Sequence, residues 1–132
     1  MAPTKPVARR WKGQINENAK AAAFWSELPE ADHNELCAWE GTLDLPLRAV
    51  FLDAPALDRR LATRLALTAD EVAAAGVPVE QVHAVGSSPL KQLLSLVLLG
   101  DLVSIYLAVL AGRDPTPVQA IERFKAALAA FA

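Results

Sequence analysis

The sequence predicts a helix-rich α/β fold in which parallel strands are flanked by helices, with the sheet incomplete. Three observations carry this. Two short apolar runs, Leu47–Leu52 and Val79–Val85, alternate with long stretches of helical periodicity, the pattern of parallel strands joined by crossover helices. Two strands are few for a parallel sheet, which is ordinarily covered on both faces and wider than this. The chain also opens on a helical pattern with no strand before it.

Taken in order, Met1–Pro6 is short, polar and Pro-bearing, and reads as a disordered or tag-like leader without the apolar core of a signal peptide. Val7–Trp25 reads as a helix, since Val7, Trp11, Ile15, Ala19 and Ala22 recur at spacings of three and four. Pro29 closes it or its loop, and a short helix is expected over Asp32–Trp39, stopped at Gly41. After the first strand, Pro55 opens a helix running to Gly76, with a break suggested by the capping-box pattern Thr68–Glu71. After the second strand, Ser87-Ser88-Pro89 starts a long apolar helix that ends at Gly112. Thr116-Pro117-Val118-Gln119 starts the last helix, with Thr116 as N-cap, Pro117 at the first helical position and Gln119 at the third.

Composition bounds the function. The 132 residues are 53% hydrophobic and 21% charged, enough for one domain with a core and unlike a disordered chain. Thirteen basic against fifteen acidic residues give a net charge of −2, with no global attraction for nucleic acid or an anionic membrane. A single cysteine, Cys37, excludes an internal disulfide and points to a reducing compartment. Leu93–Ala111 has the length of a membrane span. Asp101 in its middle costs about 2.5–3.5 kcal/mol on insertion scales, so a buried helix of a soluble domain is expected, with Asp101 held by a hydrogen-bonding partner.

The chemistry-bearing residues cluster early. Gln14, Glu17 and Lys20 share a helix face. Gly13, four residues before Glu17, leaves space beside its carboxylate, because a helical side chain leans over the preceding turn. Glycine inside a helix costs about 0.5–1 kcal/mol against alanine, so it calls for a reason, and a ligand or a close backbone approach is one. An exposed face carrying a Glu17–Lys20 pair explains the spacing equally well. His33 follows two acids in a Pro-bounded segment, where it is either a proton-transfer group or an exposed capping histidine. His33, Glu35 and Cys37 do not have the spaced-pair pattern of a metal site. Lys125 reads as a solvated lysine, Ser104 and Tyr106 as packing residues, and His83 as a core or edge histidine.

Several segments together carry a family resemblance. Arg10-Trp11-Lys12-Gly13-Gln14-Ile15-Asn16-Glu17-Asn18-Ala19-Lys20, Leu28-Pro29-Glu30 and His33-Asn34-Glu35 are similar to segments of the bifunctional phosphoglucose/phosphomannose isomerases. So are Leu99–Ala108, Asp114–Val118 and Phe124-Lys125, in the same order. The resemblance spans about residues 8–128 and is one of architecture more than motif over 43–90.

It implies a partial three-layer sandwich of the sugar-isomerase (SIS) type, the whole chain 1–132 being one C-terminal SIS-like domain whose N-terminal SIS subdomain, with its Ser/Thr-rich phosphate loop, is absent. It implies aldose–ketose isomerisation through a cis-enediol, between glucose 6-phosphate or mannose 6-phosphate and fructose 6-phosphate, in the cytoplasm and without metal or cofactor. Glu17 is then the base that shuttles the proton between C1 and C2. His33 assists ring opening from the neighbouring subunit of a dimer, and Thr116 and Lys125 lie at the substrate. The implied partners are a sugar phosphate, a second copy or the N-terminal SIS domain, and neither nucleic acid nor membrane. The other reading is a non-catalytic sugar-phosphate-binding or dimerisation module, which the lack of a phosphate loop favours for this chain alone.

Overall fold

In the computed structural model, α1 (Thr4–Asn18) leads through a short 3-10 turn (Glu30–Asp32) and α2 (Glu35–Ala38) into β1 (Ala49–Asp53), α3 (Arg59–Ala74) and β2 (Val79–His83). The long α4 (Pro89–Leu110) and α5 (Gln119–Ala129) complete the chain. The structure describes residues 4–40, 46–55 and 57–131. The expected stop at Gly41 lies outside them.

The strands β1 and β2 pair in parallel, with Leu52 opposite Val82 and Asp53 opposite His83. Period-two alternation puts Leu52 and Val82 on one face, where they pack against Val7 and Trp11 of α1 and Leu96 of α4, together with Ala54 and Ala84 at the strand ends. The crossover helix α3 contacts both strands. It buries Leu65, Thr68, Ala69 and Val72, none of which belongs to the first cluster. Helices therefore flank the two-stranded sheet on both sides, the expected architecture in partial form.

The main helix–helix contact is α1 against α4. The buried stripe of α4 is Leu96, Gly100, Ser104 and Ala108, a spacing of four that lines one side of a helix. Three of these residues are small, which lets α1 approach closely. Trp11 fills the hollow at Gly100, where a Cβ would lie 2.1 Å from Trp11 Nε1, and its indole N–H donates to Leu96 O at 2.8 Å.

Several expectations are corrected. The leader does not extend to Pro6, because α1 begins at Thr4. Proline is tolerated in that first turn, where backbone N–H groups have no helical partner. The first helix ends at Asn18 rather than Trp25. Lys20 adopts φ 54°, the left-handed conformation that ordinarily places glycine just past a helix end. The expected helix over 32–39 is two short pieces.

α3 starts at Arg59, not Pro55, because the Asp58 side chain accepts the Leu61 N–H as N-cap. It has no break at Thr68, whose hydroxyl bonds Arg64 O and Asp32 from mid-helix. Thr116 is not the N-cap of α5, which begins at Gln119 after Val118 with no side-chain cap. Ser104 does more than pack, since it hydrogen-bonds in two directions as described below. His83 is exposed at the strand end, with Nδ1 3.0 Å from Asp53 Oδ2.

The largest correction concerns α4, which is not a buried helix. Only its one stripe is covered, and Leu94, Leu98, Leu102, Ile105, Tyr106 and Val109 are exposed. Tyr106 is therefore left largely uncovered by the described residues. α5 likewise exposes Ile121, Phe124 and Leu128. A sequence apolar on all sides predicts burial on all sides, but the described residues bury one.

Candidate functional site

The site is built on the exposed face of α1. Pro6, Arg9, Arg10, Gly13, Gln14 and Glu17 recur at spacings of three and four and line an open groove of about 390 Å³. Arg9 and Arg10 line it about two turns before Glu17. Gly13 floors the groove between them. A Cβ there would meet no atom within 4 Å, so packing within the described residues does not demand glycine. Among the described residues the Glu17 carboxylate has no hydrogen-bond or ion-pair partner.

Behind the groove, a polar chain ties α1 to α4. Arg10 donates two hydrogen bonds to the Asp101 carboxylate, Nε at 3.0 Å and Nη2 at 2.8 Å. That hydrogen bond, and then the charge of Asp101, raises the guanidinium pKa above its usual value. Ser104 Oγ donates to Asp101 O at 2.7 Å and accepts from Asn18 Nδ2 at 2.9 Å. Asn18 Nδ2 also donates to Gln14 Oε1 at 3.0 Å. Gln14 thus has its acceptor engaged and its amide N–H groups left to the groove. Asp101, the acid that the apolar helix had to satisfy, is the anchor of this network.

The expected Glu17–Lys20 side-chain pair is not formed. Lys20 Nζ instead donates to the Glu17 backbone carbonyl at 2.6 Å and to Pro115 O at 3.2 Å. Arg113 Nη1 donates to Lys20 O at 2.6 Å. The end of α1 that carries Glu17 is therefore tied to the turn that carries Thr116. That turn is closed by Thr116 N–H donating to Asp114 Oδ1 at 2.8 Å.

The bond from the Thr116 backbone holds the Asp114 carboxyl below its ordinary 3.8. A depressed folded-state pKa stabilises above the unfolded value and is lost as pH falls through the folded one. Amide NMR of Thr116 is expected to show an unchanged turn above about pH 4. Loosening is expected only below Asp114's unperturbed 3.8. Loosening near neutral pH would contradict the assignment of the turn to Asp114.

The other two expected residues are not brought to this groove. His33 is exposed at the end of the 3-10 turn, its N–H donating to Glu30 O at 2.9 Å. Its segment is anchored to α3 through Asp32, which accepts from Arg64 Nη1 at 2.8 Å and Thr68 Oγ1 at 2.7 Å. Lys125 is exposed on α5. No contact within the described residues links either to Glu17.

Over residues 1–128 the chain matches the family described as the bacterial phospho-glucose isomerase C-terminal SIS domain. It is 38% identical over 128 residues to a bifunctional phosphoglucose/phosphomannose isomerase of Caldicellulosiruptor bescii, covering 96% of this chain and 38% of that protein. It is 40% identical over 126 residues to the protein of the same name from Aquifex aeolicus, covering 92% and 38%. The chain belongs to this SIS-domain family. A D-glucosamine-6-phosphate 4-epimerase of Sulfolobus acidocaldarius is also similar, 30% identical over 103 residues, covering 78% of this chain and 30% of that protein.

The chain thus spans 38% of the length of the two isomerases it matches. The spacing of residues in the sequence pointed to the α1 face, but not to the Arg113–Lys20 tie. Its signal, a helix ending with neither glycine nor proline, is legible only as an anomaly.

Proposed function

We propose that this chain is the C-terminal SIS domain of an aldose–ketose phosphosugar isomerase. It would interconvert glucose 6-phosphate or mannose 6-phosphate with fructose 6-phosphate in the cytoplasm, in the sugar-phosphate pathways of glycolysis and gluconeogenesis. The observation that carries the reading is the unpartnered Glu17 carboxylate in the groove over Gly13. A carboxylate free of local bonds is available as a base, and a carbon acid has to come within hydrogen-bonding distance of it. Glu17 takes the C2 proton of the open-chain aldose as O1 gains a proton, giving a cis-enediol, and returns the proton to C1 as O2 loses its own, giving the ketose. His33, exposed on its anchored turn, serves ring opening in the groove of a neighbouring copy. Thr116 contacts substrate from the turn tied to α1, and Lys125 from α5.

The exposed apolar faces of α4 and α5 are proposed to pack against the N-terminal SIS domain or a second copy. Faces of this extent ordinarily mark interfaces. Light scattering on the purified chain is expected to give a mass above one chain, and a single-chain mass across a wide concentration range would contradict it.

The isolated chain is expected to turn over negligibly. Binding energy from the non-reacting phosphate normally helps lower the barrier at the reacting carbon, and the sequence carries no Gly-rich phosphate-loop motif among the described residues. A coupled glucose 6-phosphate assay is run on the chain alone and on the chain co-expressed with the N-terminal SIS segment of a relative. Activity only in the second supports the reading. Turnover of about 1–1,000 per second by the chain alone would remove the need for an N-terminal partner. No activity in either favours the second reading, a non-catalytic sugar-phosphate-binding or dimerisation module.

A further inference from the structure

We propose that Lys20 is a positioning residue for this reaction: its ammonium clamps the end of α1 that carries Glu17 onto the turn that carries Thr116. The proposal rests on the reading of Glu17 as the base. Five observations carry it.

Lys20 holds φ 54°, a conformation that non-glycine residues rarely adopt. Such strain persists only where surrounding contacts over-determine it, and it concentrates at functional sites. The contacts are present. Nζ bridges Glu17 O and Pro115 O, two carbonyls far apart in the chain. Arg113 then fixes Lys20 from the other side through its carbonyl. The Lys20 charge also contributes to lowering the Asp114 pKa, so the ammonium acts on the Asp114–Thr116 turn electrostatically as well. Finally, Asn16 Nδ2 donates to Ala21 O at 2.7 Å, holding the chain just beyond the strained residue.

A helix end needs only a glycine to turn this way. Glycine would terminate α1 but would leave only the Arg113 bond to the residue-20 carbonyl between that helix end and the turn. Lysine adds a charged bridge between them, with two of its three donors on main-chain oxygens. Because the bond is to the Glu17 carbonyl rather than its carboxylate, the clamp sets the position of the base without neutralising it.

The test uses the active complex of this chain with the N-terminal SIS segment. Lys20→Met removes the ammonium and keeps the stem. Its kcat is expected to fall about 10- to 100-fold, the scale of a small misplacement of a reacting group. KM is expected to change less than about threefold, since binding groups are untouched. Lys20→Gly accepts the left-handed backbone freely and keeps the test decisive if Lys20→Met unfolds. It is expected to melt at or above the parent temperature and still lose kcat to the same degree. Lys20→Arg, which retains donors and charge, should recover most of the loss.

Unimpaired kcat in Lys20→Gly would show that the position serves only to end the helix and would overturn the proposal. An inactive Glu17→Gln beside a fully active Lys20→Met would overturn this proposal alone. A fully active Glu17→Gln would overturn the base assignment and this proposal with it.

Discussion

Replacing Glu17 by glutamine in the complex with an N-terminal SIS segment is expected to lower turnover about 100- to 10,000-fold, the usual contribution of a positioned acid–base group. Glutamine keeps the shape of the side chain and removes only its basicity. Substrate binding should change little, because a group acting in the transition state affects rate more than affinity. Stability should also change little. Glu17 is exposed and makes no side-chain bond among the described residues, and what Lys20 holds is its backbone carbonyl. A glutamine preserves that carbonyl. Turnover and melting temperature measured on the same variant separate the two readings of the α1 face. Full turnover would return Glu17 to an ordinary solvated acid.

The second large effect is structural. Gly100→Ala is expected to destabilise the chain by about 1–3 kcal/mol, the range for forcing extra atoms into a packed site. The added Cβ would lie 2.1 to 2.4 Å from three atoms of the Trp11 ring, and the ring cannot retreat without breaking its hydrogen bond to Leu96 O. Trp11→Ala alone should cost about 3–5 kcal/mol through the cavity it leaves. The double variant should cost less than the two single losses together, because the methyl group partly fills what the indole vacates. Urea denaturation of the three variants measures this. Additive losses would mean that Trp11 and Gly100 do not share one contact. Since Trp11 lies between Arg10 and Gly13 of the groove, the same interlock sets the pose of the site.

The legible part of this molecule was the part with local signals. Ser88 and Pro89 start α4 as their residue types dictate, with the Ser88 side chain accepting the Lys91 N–H. The apolar runs became strands, β1 starting later than expected and ending at Asp53, and β2 starting at Val79 as expected but stopping at His83. The Glu17 face with Gly13 was visible from spacing, and so was the need of Asp101 for a partner. The identity of that partner was not, because Arg10 lies 91 residues away and nothing local pairs them. The end of α1 was hidden for the same reason. Ala19 and Ala22 continue the helical period, and the chain turns at Lys20, where bonds to Arg113 and Pro115 hold it. Thr116-Pro117 carried a strong helix-start signal that lost to a competing local one. Asp114, two residues earlier, takes the Thr116 N–H and makes a turn of the segment. The exposed sides of α4 were misjudged because composition records how apolar a helix is and not which chain covers it.

The central claim is that Glu17 moves a proton between carbons through an enediol. The most direct test is the reaction run in deuterium oxide with the complex of this chain and an N-terminal SIS segment, followed by proton NMR of the fructose 6-phosphate formed from glucose 6-phosphate. A carboxylate base exchanges part of its captured proton with solvent before returning it, so the account predicts deuterium at C1 of the product and its loss, together with turnover, in Glu17→Gln. Full turnover with no solvent deuterium at C1, or deuterium incorporation undiminished in Glu17→Gln, would contradict it.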